Sequence, residues 1–104
     1  MKEVNEIAAV EGVDVLLIGP TDLGNNIGHP AVLNGGKHAP ELDEAIAKIN
    51  KAAHDAGKKS AIYMGSGEQA KHYADNGFDM INTANDIAVL KKYFAEHVAT
   101  ATGK

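Results

Sequence analysis

The chain is 104 residues long and 44% hydrophobic, with ten Lys, no Arg, 14 acidic side chains, no Cys and a formal net charge of −4, the profile of one ordinary globular domain. The missing Arg and scattered Lys exclude the clustered cationic surface that reads nucleic acid, and the missing Cys excludes disulfides and thiolate metal sites. No apolar run approaches the ~20 residues of a membrane helix, and residues 1–10 lack the apolar core of a signal peptide, so no membrane partner and a cytoplasmic address are expected.

Val4, Ile7 and Ala8 recur at helical spacing, which predicts an amphipathic helix over residues 2–9. Gly12 can stop it in a left-handed conformation. Residues 13–18 are an almost unbroken apolar run of strand length, the pattern of a strand covered on both faces. Residues 19–39 are dense in Gly, Asn, His and Pro without an apolar period, and are expected as a long loop. Pro40 suits the first position of a helix, with Glu41, Asp43 and Glu44 in the first turn. Leu42, Ala45, Ile46, Ile49, Ala52 and Ala53 mark its apolar face and Gly57 closes it.

A second strand is expected over residues 60–64. Ser66 and Gln69 fit a capping box opening a helix that carries Ala70, Tyr73 and Ala74 and stops at Gly77. Residues 78–83 read as a third strand, and Thr83 or Asn85 caps a last helix with Ile87, Leu90, Tyr93, Phe94 and Val98 at helical spacing. Residues 99–104 are expected to fray. Strands alternating with helices imply right-handed crossovers and a parallel sheet. With helices on one side only, such a sheet leaves its other face and both edges bare, yet parallel sheets occur almost only with both faces covered. The chain therefore self-associates or belongs to a larger sheet; a closed eight-unit barrel takes ~250 residues.

At the carboxyl end of the first strand, where parallel α/β proteins place ligands, stand Gly19, Pro20, Thr21 and Asp22. Asp22 reads as a metal ligand or as a local turn or helix cap, and one carboxylate alone cannot satisfy a hard cation. Residues 65–70 formally fit a dinucleotide-binding fingerprint, but the capping box explains Ser66 and Gln69 without a ligand. The five His have no i, i+4 pair; most are expected in solvent, with His29 and His38 in the loop near Asp22. Tyr63, ending the second strand, reads either as lining the mouth beside Asp22 or as core.

Residues 10–23, from Val10 through Gly19, Pro20, Thr21 and Asp22 to Leu23, followed by Gly28, His29 and Pro30, resemble the signature of the HpcH/HpaI aldolases, metal-dependent enzymes of the phosphoenolpyruvate/pyruvate barrel superfamily. The likeness continues through residues 45–49, Gly57 to Lys59, residues 67–70 and Asn76 to Phe78. The resemblance implies an α/β fold of parallel strands with crossover helices, similar to the last three βα units of a TIM barrel. In that reading residues 1–104 are a single domain, the carboxyl-terminal portion of the barrel, and residues 13–18, 61–64 and 78–83 are its sixth, seventh and eighth strands.

The resemblance further implies that Asp22 is a metal ligand. Gly19, Pro20, Thr21 and Asp22 would surround a small 2-oxo acid such as pyruvate, with Tyr63 lining the pocket where the family often has Leu. A divalent Mg²⁺ or Mn²⁺, with Co²⁺ tolerated, would act as the Lewis acid that stabilises the enolate. The family's glutamate ligand, histidine base and arginine have no counterpart here, so no catalytic residue is assigned. The first expectation is thus a divalent-metal-dependent carbon–carbon lyase, a class II aldolase to which this chain supplies the aspartate. The alternative is a catalytically inactive half-barrel, a self-assembling or partner-binding structural module. Its partner would be a homo-oligomer or the missing barrel half.

Overall fold

Short β-rich apolar runs separated by longer helical segments cannot pair as hairpins, so they pair in parallel through crossovers. The computed structural model, which describes residues 2–32 and 37–104, has three parallel strands, β1 (Val15–Ile18), β2 (Lys59–Tyr63) and β3 (Met80–Asn82), in the order β1-β2-β3. Leu17 lies beside Ala61 and Ala61 beside Met80; Ile18 lies beside Ile62 and Ile62 beside Ile81. Because side chains alternate across a strand, the first row faces one side of the sheet and the second row the other.

Helices cover only the second side. α1 (Val4–Ala8), α3 (Pro40–Asp55) and α4 (Gly67–Asp75) flank the sheet. Ile18, Leu42, Ile46, Ile62, Met64, Ala70, Tyr73 and Phe78 form one buried cluster, and Val4, Ala8, Leu16, Ala52 and Ala53 a second. Pro40 occupies the first turn of α3 with Glu41 and Asp43, as its helix-start pattern predicts. In α4 the Ser66 hydroxyl accepts from the Gln69 amide N–H, but the Gln69 side chain donates to the Val32 carbonyl, so only half of the capping box forms. The architecture is a parallel sheet with flanking helices, a partial β/α barrel.

Two elements differ from expectation. Within the expected loop lies α2 (Pro20–Ile27), with Pro20 in its first turn and Gly28 left-handed (φ 79°) at its end; residues 33–36 of that loop lie outside the described residues. Residues expected to fray continue the last helix, α5 (Asp86–Thr102), which ends on left-handed Gly103. α5 buries no residue, and the molecule measures 55 × 26 × 21 Å. No helix among the described residues is long and apolar enough to cross a membrane.

α2 is held down at Gly24. A Cβ there would lie 2.7 Å from the His29 carbonyl oxygen, 2.9 Å from the Ala31 nitrogen and 3.3 Å from Leu42, and backbone cannot yield as a flexible side chain does. Gly24→Ala is expected to destabilise the fold by about 1–3 kcal/mol, the usual cost of overpacking. Gly65→Ala, where a Cβ meets nothing within 4 Å, serves as the control. Thermal unfolding of both variants checks this: equal melting temperatures would show that α2 does not approach α3 so closely.

Candidate functional site

The residues expected around a ligand sit at the carboxyl ends of the strands. Gly19 is the N-cap of α2, Pro20 opens it, and Thr21 and Asp22 lie exposed in its first turn. The Leu23 N–H donates to the Gly19 carbonyl at 3.0 Å. Asp22 borders a hollow of about 430 Å³ along the free edge of β1, with Ile7, Val13, Val15 and Leu17. Tyr63 borders a different hollow, about 590 Å³, across the open side of the sheet with Leu17, Ala61, Met80 and Asn82. Its hydroxyl accepts from the Asn85 side-chain amide. Asp22 and Tyr63 thus share the wall at Leu17 without lining one pocket.

That open side is the most unusual surface of the molecule. Leu17 is 71% exposed and Met80 58%, with Tyr63 at 39% and Val15 at 37%, while their neighbours one residue along, Leu16, Ile18 and Ile62, are buried. An apolar layer spanning three parallel strands and facing water is a surface built to be covered. Free edges on β1 and β3 add unpaired backbone groups to it.

A third hollow, about 350 Å³, lies between the starts of α3 and α4, with Glu68, Gln69, His72 and Tyr73 among its walls. His38, expected in solvent, is buried here and accepts at Nδ1 from the Val32 N–H, 3.0 Å. Its Nε2 is buried without a partner among the described residues. Tyr73 donates its hydroxyl to Asp43 at 3.0 Å; burial, reinforced by the Asp43 charge, pushes the phenol well above its ordinary range, so it stays a donor.

Residues 1–96 match the family model described as HpcH/HpaI aldolase/citrate lyase. The chain belongs to this family. It is 36% identical over 101 residues to a hydroxypyruvate/pyruvate aldolase of Rhizorhabdus wittichii, spanning 97% of this chain and 39% of that protein. It is 41% identical over 87 residues to one of Delftia acidovorans, spanning 84% and 31%. The crystal structure of an HpcH/HpaI aldolase from Desulfitobacterium hafniense superposes with a TM-score of 0.83 at 28% identity, over 96% of this chain and 38% of that one. The chain therefore spans well under half the length of the relatives it matches.

Membership in the HpcH/HpaI family does not bring a metal centre with it. Among the described residues there is no group of three or more His, Cys, Asp or Glu side chains that could hold a metal ion. A hard divalent cation takes six or more oxygens, several of them from the protein, and the residues around Asp22 do not fit one. The expectation that this chain works as a divalent-metal-dependent aldolase, with Asp22 as its contribution, is corrected on that ground.

The opposite end of the sheet holds a cluster that the sequence reading missed. His54 Nε2 lies 2.7 Å from Asp79 Oδ2 and 3.4 Å from the Ser60 hydroxyl, and the Ser60 N–H donates to the same carboxylate oxygen at 2.9 Å. A nucleophilic triad needs carboxylate and hydroxyl on different imidazole nitrogens. Here both crowd Nε2, and Ser60 is fully buried. The cluster is a clamp joining α3 to the entries of β2 and β3, reinforced by the Asp79 N–H donating to the Ser60 carbonyl at 3.1 Å. The hydrogen bond from the Ser60 N–H, then that from His54, holds the Asp79 carboxyl down at about 2.

A depressed carboxyl pKa stabilises the folded state above the unfolded value, ~3.9, and that contribution is lost as pH falls toward the folded value. Asp79→Asn is accordingly expected to unfold at lower denaturant at pH 7 and to lose less of its midpoint than the parent chain between pH ~4.5 and ~2.5. Parallel curves for the two proteins would remove Asp79 as the acid-sensitive clamp.

Proposed function

We propose that this chain is a non-catalytic half-barrel module, the carboxyl-terminal portion of an HpcH/HpaI barrel, that functions by assembling with another chain over its open sheet face. The observation that carries this reading is the row of exposed apolar side chains at Leu17, Tyr63 and Met80 opposite a fully packed helical side. The absence of a possible ligand group among the described residues favours it over lyase chemistry. The partner is a second copy or a complementary barrel half, and a cytoplasmic setting suits both. Nucleic acid is not a partner in this reading, because a chain of net charge −4 without Arg offers phosphate little attraction.

Light scattering of the pure chain, with and without Mn²⁺ and pyruvate, tests the reading. A defined oligomer whose mass and melting temperature are the same with and without both ligands is expected. A monomer at high concentration would overturn self-assembly, and retro-aldol turnover that disappears in Asp22→Ala would overturn the non-catalytic assignment.

A further inference from the structure

We propose that the hollow between the starts of α3 and α4 binds a free α-amino acid with an apolar side chain, held as a zwitterion. The site lies on the helical side of the sheet, so it is independent of the assembly over the open face. His38 carries the argument. It is 8% exposed, it borders the hollow, and its Nδ1 accepts from the Val32 N–H at 3.0 Å. A ring nitrogen that accepts holds no proton, so the proton of this imidazole sits on Nε2. That N–H is a buried donor without an acceptor among the described residues. Buried donors are nearly always paired, and a ligand oxygen in the hollow would pair this one.

The charges on the same walls specify the rest. Lys37 and Glu68 both border the hollow, yet neither forms an ion pair among the described residues. Opposite charges that share one space without closing on each other suit a ligand of reversed polarity, its carboxylate toward Lys37 and the His38 Nε2–H and its ammonium toward Glu68. The positive ends of α3 and α4 favour the carboxylate there as well. The remaining polar walls are already engaged: the Tyr73 hydroxyl donates to Asp43 at 3.0 Å, the Gln69 side chain donates to the Val32 carbonyl at 3.1 Å, and His72 Nε2 lies 3.3 Å from the Asn76 amide. With Asp43 and Glu68 both acidic, an anion that lacks an ammonium is repelled. The rings of His72 and Tyr73, edge to face with centroids 4.9 Å apart, offer apolar surface to the side chain. A volume of about 350 Å³ is at the small end for ligand pockets, room for an amino acid and tight for a nucleotide.

L-leucine is the probe, beside 4-methylpentanoate, which lacks the ammonium, and 3-methylbutylamine, which lacks the carboxylate. Titrated into the full chain and followed by amide NMR shifts, L-leucine is expected to saturate with a Kd of about 1 mM or tighter. Each truncated compound should bind at least about tenfold more weakly. Glu68→Gln and Lys37→Gln, at exposed positions where folding is not at stake, should each weaken L-leucine about tenfold. His38→Asn keeps an oxygen that can accept from Val32 but removes the donor at Nε2, and should weaken L-leucine likewise. No saturable shift with L-leucine, equal binding of 4-methylpentanoate, or affinity unchanged in Glu68→Gln and in a folded His38→Asn would overturn the site. The oligomeric state of the chain bears on none of these outcomes, so failure of this site and failure of the assembly are separate results.

Discussion

A parallel sheet needs a layer on each face, and this chain supplies only one. Its strands are bonded in parallel through two crossovers, so the helices that connect them fall on one side by the handedness of the βαβ unit. The side chains that alternate to the other face are apolar as well. Leu16, Ile18 and Ile62 are therefore removed from water by α3 and α4, while Leu17 and Met80 on the same strands are not. The proposed assembly derives from this one imbalance, because free energy is gained by any surface that completes the second layer.

The two ends of the sheet divide their work. At the strand entries Asp79, His54 and Ser60 form a compact polar clamp whose hydrogen bonds are shared among one carboxylate, one imidazole and one backbone N–H. At the strand exits the chain opens into α2, with Asp22 exposed in its first turn, where a carboxylate is favoured by the helix dipole whatever else it does. Catalytic electrostatics depend on several preorganised groups aimed at one reacting centre. In the described part of this member of the HpcH/HpaI family the exits carry Asp22, Glu68 and Asp86 in the first turns of separate helices without gathering three ligand-type side chains, so the polar organisation lies at the end that serves stability.

Much of the architecture was legible in local pattern. Pro40 with Glu41 and Asp43, Ser66 with Gln69, and the i, i+3, i+4 spacing of Leu42, Ala45 and Ile46 each state a helix start or a buried face, and the structure has them. α2 was missed because Gly24, Asn25 and Asn26 are weak helix formers; Pro20 at its start and Gly28 at its end were the available signals. The Asp79 clamp was illegible because it depends on His54 and Ser60, 25 and 19 residues away, and no local rule brings them together. The burial of His38 was illegible for the same reason, since it lies beside Tyr73 of α4, 35 residues on. The signature around Asp22 identified the family correctly, but a ligand set is a property of several segments meeting in space, which one motif cannot supply.

The run over residues 13–18 shows how a sequence records a context that its own chain does not provide. Its near-continuous apolarity is the pattern of a strand covered on both sides, and in the structure Leu16 and Ile18 are covered while Val15 and Leu17 are exposed. Side chains of that kind lose free energy by facing water, roughly 25 cal/mol per Å² left uncovered, and the loss recurs at Met80 and Tyr63 across the sheet. α5 has the same character: its spacing is that of a helix with a buried stripe, yet it buries nothing. Two surfaces of one copy, the open sheet face and the apolar spacing of α5, thus each lack a covering layer among the described residues, and an apolar surface of that kind gains free energy from whatever covers it.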